Sequence, residues 1–343
     1  MAMNVLTQLG ITLPVLAAPM AGGPTSPAMA IAATRAGSLG MLAAGYKTAQ
    51  AVEEQIRELR SESIPFGVNI FAPNPVPVDV DLYRRYATAI QRDAEQFDLT
   101  LPPEPIEDTD AYDEKIQLLL DDPVPLVSFT FGIPSQRVIT ALKDAATIVV
   151  QTVTNLREAI TARDSGVDML AVQAHTAGGH SGTLTPAEPL APTPINTLVG
   201  QITQSVDLPV IAGGGLATSR AVAEVIHAGA AAAVVGTLLV RATESGASAT
   251  HQAALIDPAR TETVLTRAFT GRPARGLRNA FIDAHEAAAP LGYPAIHHLT
   301  SPLRKAAAAT GRADFVHLWA GTGYRHATAE PTADILQRLA SDL

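Results

Sequence analysis

The chain contains no cysteine. Disulfides, thiolate metal sites, iron–sulfur clusters and cysteine nucleophiles are excluded together. No run of about 18 apolar residues occurs, so no membrane span is expected. The first residues, MAMNVLTQLG, lack the basic start and apolar core of a signal peptide, and a cytoplasmic location is the expectation. Basic clusters are missing too. The 24 Lys and Arg are scattered and the net charge is −9, which argues against nucleic acid or an acidic membrane surface as partner. Aromatic residues make up only 4%, whereas Ala and Gly are abundant, so close helix packing is expected. What remains, 343 residues of which 47% are hydrophobic, is enough for one large core and a smaller appendage.

Eight short apolar runs organise this material. They are Val15 to Met20, Ser38 to Ala43, Phe66 to Phe71, Pro125 to Thr130, Thr147 to Gln151, Asp168 to Val172, Pro209 to Ala212 and Ala232 to Val235. Each is too short for a helix and too apolar for a surface strand, the pattern of a parallel strand buried on both faces. Helix signals fall between most of them. Ser26 precedes a first-turn Pro27, Thr48 precedes AQAVEEQIRELR, Thr154 opens a helix that Gly166 follows, and Thr218 or Ser219 opens one that Gly229 follows. The alternation predicts an α/β fold, a (β/α)8 TIM barrel. Residues 74 to 124 interrupt it with acid, proline and two helix-like pieces, too long for a plain crossover. From about Thr243 the order is hard to read, and LGYPAIHHLTSPLRK reads as irregular. The division expected is a barrel of residues 1–74, 123–242 and 319–343, with a smaller, mostly helical substrate or cap domain of residues 75–122 and 243–318.

Chemistry is expected at the C-terminal ends of the strands. Three glycines, Gly213 to Gly215, follow the seventh run, and Val234, Val235, Gly236 and Thr237 end the eighth. In such barrels these two loops form the usual phosphate site, because backbone N–H groups can approach an anion that a Cβ would block. Asn69, Gln151 and Gln173 put amides at the same mouth, and amides suit the edge of a nucleotide-type heterocycle better than a metal. The sixth run leads into AHTAGGHSG. His175 and His180 lie five apart there with no third ligand in view, so a metal is not expected. His180, between Gly179 and Ser181–Gly182, has room to approach a ligand as a base or as an oriented donor. GMLAAGYKT imitates a P-loop, but Tyr46 puts its lysine out of register. GGGLAT is not a dinucleotide fingerprint, and Ser181 has no nucleophile elbow.

Taken in order, APMAGG, VNIF, VSFTFG, AHTAGGHSG, VIAGGGL, VVGT, FTGRPARG and LWAGTG make the chain resemble the nitronate monooxygenases, the FMN family formerly called 2-nitropropane dioxygenases. The resemblance runs nearly end to end. It implies a TIM barrel that binds FMN without a metal. Through a flavin semiquinone it would oxidise alkyl nitronates such as propionate 3-nitronate with O2, to an aldehyde or oxo acid plus nitrite or nitrate. His180 matches the family's catalytic histidine. The cofactor set expected is Pro19, Met20, Asn69, Gln151, Gln173, Gly178, Gly179, Gly214, Gly215 and the run Val234, Val235, Gly236 and Thr237. Tyr293 and Lys305 are the substrate candidates, and the basic loop of Arg272, Arg275 and Arg278 and the segment Tyr293 to Lys305 are places for a substrate carboxylate. The family often carries Glu where this chain has Thr176. A homodimer stays open, as do two other functions: an NAD(P)H-dependent flavin reductase of enoyl thioesters or quinones on the same barrel, and a non-catalytic barrel that binds a phosphate ligand.

Overall fold

A computed structural model describes residues 5–343. Strands β1 (Val15–Ala17), β2 (Gly40–Ala43), β3 (Phe66–Ala72), β4 (Leu126–Phe131), β5 (Ile148–Val153), β6 (Met169–Gln173), β8 (Val210–Gly213) and β9 (Ala232–Val235) form one parallel eight-stranded sheet. Its order is β1-β9-β8-β6-β5-β4-β3-β2. The first and last strands lie side by side, so the sheet is a nearly closed (β/α)8 TIM barrel. Three short strands lie outside it. β7 (Gly179–His180), β10 (Thr263–Thr266) and β11 (Ala274–Leu277) pair antiparallel in the order β10-β11-β7.

Side-chain alternation along the barrel strands separates two apolar layers. Leu16, Met41, Leu126, Val150, Met169, Ile211 and Ala232 point inward and plug one end of the barrel together with Leu6 and Ile11. Val15, Val68, Ile70, Val127, Phe129, Val149, Val153, Leu170 and Val172 point outward against the helices. That is why both faces of every strand had to be apolar. The connecting helices start where side chains can accept their first free N–H groups. Ser26, Thr48, Ser135 and Thr218 each accept from the residue three positions on. One cap differs from expectation. Asn155 caps Leu156–Asp164, because Glu158 turns its carboxylate back onto the N–H and hydroxyl of Thr154.

A second apolar core lies apart from the barrel. Helix Val80–Glu95 contributes Tyr83, Tyr86, Ile90 and Ala94, and helix Ala295–Ala309 contributes Ile296, Leu299 and Leu303. The latter helix corrects the irregular reading of LGYPAIHHLTSPLRK. Pro302 sits inside it, yet its buried residues keep the 3.6-residue spacing and packing retains the helix around the proline. Strand β10 packs Val264 against this core, whereas Leu277 of β11 packs in the barrel's. None of the described helices is long and apolar enough to cross a membrane.

Candidate active site

A cavity of about 860 Å³ opens at the C-terminal ends of the barrel strands, between them and the second unit. That is room for a nucleotide-sized ligand with a small molecule beside it, within the roughly 300–1,000 Å³ of ordinary cofactor pockets. Its lining includes Pro19, Met20, Asn69, Gln173, Gly178, Gly179, His180, Gly214, Gly215, Val234, Val235, Gly236, Thr237, Tyr293 and Lys305. Gln151 is separated from this set. It stands in register with Phe129 and Leu170, both on the outward layer of the barrel, whereas its neighbours Val150 and Thr152 line the cavity. Its amide donates to the carbonyl of Thr152, and the expectation of a ligand contact from Gln151 is corrected by the two-residue period of the strand.

The glycine turns form one end. Gly214 and Gly215 sit at φ +116° and +77°, where a side chain would be strained. Among the described residues, the backbone N–H groups of Gly214, Gly215, Gly236 and Thr237 find no protein acceptor, which leaves them for an anionic ligand. Gly178 lies so close to the segment after Trp319 that an added Cβ would stand 2.5 Å from the backbone nitrogen of Gly321. Gly178→Ala is therefore expected to destabilise the protein by about 1–3 kcal/mol through overpacking, read as the midpoint of a denaturant melt. An unchanged midpoint would contradict so close an approach. Thr176 is outside the lining and packs its hydroxyl where a Cβ on Gly215 would be, at 3.0 Å.

The amides act differently from one another. The Asn69 Nδ2 donates to Ser128 Oγ (2.8 Å) and Thr130 Oγ1 (3.0 Å), so its carbonyl oxygen is the acceptor left for a ligand N–H. Gln173 is occupied at both ends. It donates to the carbonyl of His180 (3.0 Å) and accepts from the N–H of Gly182 (2.7 Å), clamping the loop that presents the histidine. His180 itself lies on β7, where it pairs with Ala274. Its imidazole sits edge-on among Phe131, Tyr293 and Trp319, with centroids 5.7, 5.7 and 5.4 Å away. Burial among these rings, then the charges of Arg272 and Arg304, pull its pKa down to about 3. The histidine is neutral at physiological pH.

Beyond His180 the cavity wall carries Arg304, with Arg272 behind it and Asp108 and Asp110 also on the lining. Arg272 is fully buried with its guanidinium 4.2 Å over the Phe131 ring, and one of its nitrogens, Nη1, has no hydrogen-bond partner. Arg304 is buried in the cavity wall. It donates to Thr300 Oγ1 (3.0 Å) and the carbonyl of His297 (3.0 Å) and lies against the ring nitrogens of His297 and His317. Neither arginine forms an ion pair with a carboxylate among the described residues. Tyr46 stacks on His297 at 4.2 Å, and the hydroxyl of Tyr293 donates to that of Tyr46 at 3.3 Å. Burial pushes the Tyr46 hydroxyl up to about 12, so both tyrosines are neutral donors. Lys305 is exposed at the solvent side of the cavity.

The other basic residues are committed elsewhere. Arg275 donates to the carbonyls of His175 and Thr263, and Arg278 is half-exposed between Glu262 and Asp283. His175 faces a separate cavity of about 260 Å³. Among the described residues no group of three His, Asp or Glu is placed to hold a metal ion. The sequence reading missed Tyr46, Phe131, Thr270 and Trp319, and held His297 and Arg304 only within the segment Tyr293 to Lys305. Only tertiary structure brings them to His180, and the one signal available was the crowding of His, Arg and Lys between Tyr293 and Lys305.

Comparison with known proteins agrees with this geometry. The sequence matches the nitronate monooxygenase family over residues 4–342. A probable nitronate monooxygenase of Staphylococcus aureus is 35% identical, over 99% of this chain and 97% of its own. The crystal structure of nitroalkane oxidase from Streptomyces ansochromogenes is similar with a TM-score of 0.93 and 43% identity, covering 99% of this chain and 98% of that one. FabK from Thermotoga maritima, with a TM-score of 0.75, 24% identity and coverage of 99% and 95%, shares the fold. Matched from end to end, with the glycine turns and His180 at one cavity, the chain is an enzyme of the nitronate monooxygenase family.

Proposed function

We propose that this enzyme holds FMN in the barrel mouth and oxidises alkyl nitronates, such as propionate 3-nitronate, with O2. The products are an aldehyde or oxo acid plus nitrite or nitrate. FMN suits the residues present. The free N–H groups of Gly214, Gly215, Gly236 and Thr237 match a phosphate, Pro19, Met20 and Gly178 leave room for a flat ring, and the Asn69 carbonyl matches a ring N–H. When bound, FMN supplies the electron acceptor for the substrate and the route of electrons to O2.

The observation that carries the substrate class is the charge of the cavity beyond that cradle. Arg304 in the cavity wall and Arg272 behind Phe131 are buried guanidinium groups with no ion pair to a carboxylate among the described residues, and His180 beside them is neutral. A buried cation without a partner is costly, and an anionic substrate supplies the missing charge. A nitronate is already an anion, so it needs no base. His180 and Arg304 orient it, and the rings of Phe131, Tyr293 and Trp319 exclude water around it. For a neutral nitroalkane, His180 takes the α-proton first, and the negative charge of the nitronate that forms beside it offsets the burial and the arginines that otherwise hold the ring neutral.

Arg304→Met tests this assignment. We expect the KM for propionate 3-nitronate to rise at least about 30-fold, the loss that follows removal of one member of a buried charge pair. Thermal stability should hold or increase, since Met fills similar volume without a buried charge. An unchanged KM would remove Arg304 from substrate recognition.

A further inference from the structure

Thr270 lies in the FTGRPARG loop, is almost fully buried and does not line the cavity. Its hydroxyl oxygen stands 2.9 Å from His180 Nε2 and 3.3 Å from the carbonyl oxygen of Arg272. A carbonyl can only accept, so a Thr270 hydroxyl hydrogen directed at Arg272 is not available to His180. Its lone pair then remains for His180, and a neutral imidazole must donate to it from Nε2. The other ring nitrogen, Nδ1, makes no hydrogen bond with any described residue and is not shut off from the cavity. The rings of Phe131, Tyr293 and Trp319 stand around the imidazole, and none of their polar atoms hydrogen-bonds to Nδ1. The same relay recurs nearby, where Thr300 donates to the carbonyl of Phe269 and accepts from Arg304.

We propose that Thr270 is a positioning residue that locks neutral His180 with its proton on Nε2, so that Nδ1 is the atom that faces the substrate and accepts its α-proton. This deepens the proposed function and rests on it. In the step itself, the C–H bond α to the nitro group breaks, its electron pair enters the nitronate, and the proton forms an N–H bond at Nδ1. No other reactant is needed. A nitronate supplied as such bypasses the step, so Thr270 divides the two substrate types.

The tautomer can be read without turnover. In protein labelled with 15N-histidine, the His180 signals, identified by their loss in His180→Gln, are expected to show Nε2 in the protonated range and Nδ1 in the unprotonated range. Thr270→Val, nearly the same volume, should move the two signals towards each other, whereas Thr270→Ser should leave them in place. With a neutral nitroalkane, kcat is expected to fall about tenfold or more in Thr270→Val, a part of what a positioned base contributes. With the nitronate it should change less than about twofold, and Thr270→Ser should keep the parent rate with both substrates. A protonated Nδ1 in the parent protein, or an unmoved tautomer in Thr270→Val, overturns the assignment. Should Thr270→Val fail to fold, the parent spectrum together with Thr270→Ser still decides it. The reading of the enzyme as nitronate-oxidising fails separately, through absence of turnover in a parent protein whose tautomer is as expected.

Discussion

Replacing His180 with alanine is expected to lower kcat/KM for a neutral nitroalkane by about 10²–10³-fold while the flavin stays bound. The retention follows from the cradle. In the proposed site the N–H groups of Gly214, Gly215, Gly236 and Thr237 would hold the phosphate and the Asn69 carbonyl the ring, and none of these rests on the imidazole. The loop conformation survives as well, because Gln173 clamps it through the carbonyl of residue 180 and the N–H of Gly182, both backbone groups. The alanine removes the imidazole enclosed by Phe131, Tyr293 and Trp319, and with it the acceptor for the α-proton. Loss of one preorganised group in a dry site has this magnitude in other enzymes. Flavin content by absorbance and steady-state rates check both halves. Unchanged kcat/KM would take His180 out of the mechanism.

Acidification from pH 7 to pH 5 is expected to destabilise the fold by about 2 kcal/mol for each of His180 and His251. Burial holds these two down to about 3 and about 4, and His297 and His317 are pushed in the same direction by burial and by Arg304. The sign follows from proton counts. Unfolded histidine has a pKa near 6.5 and binds a proton at pH 5, whereas the folded chain leaves these rings neutral, so unfolding takes protons up and stability falls as pH falls. The loss begins near pH 6.5 and stops growing only around pH 3–4, where the folded rings titrate. Asp110, raised by burial, acts the other way, but only near the lower end of that window. Glu244, held low by its bonds to Thr332, adds to the acid loss there. Calorimetric melts across this range measure it, and a melting temperature that is flat between pH 7 and 5 would contradict the burial of this histidine group.

The barrel was legible in the sequence because its determinants are local. A strand buried on both faces writes itself as an apolar run, and caps such as Thr48 and Thr218 are single residues that accept from a helix N–H three places on. The cradle was legible for the same reason: Gly213 to Gly215 and Gly236 follow their strands directly. Gln151 was misplaced by one step of a two-residue period, since a short apolar run shows which residues are buried and not which side each faces. The partners of His180 were hidden by distance along the chain. Thr270 is 90 positions away, and β7 is two residues long, too short for any periodicity to announce its pairing with Ala274. Helix Ala295–Ala309 was hidden by Pro302, whose local preference is overruled by packing of Ile296, Leu299 and Leu303.

The claim on which the rest depends is that the cavity unites a flavin with an anionic nitro substrate. The direct measurement is the visible spectrum of the purified protein as propionate 3-nitronate is added without oxygen. The account predicts flavin absorption bands that change on addition of the nitronate, recover when air is admitted, and stay unchanged with NAD(P)H. A flavin that ignores the nitronate but bleaches with NAD(P)H would contradict it and assign the site to a reductase.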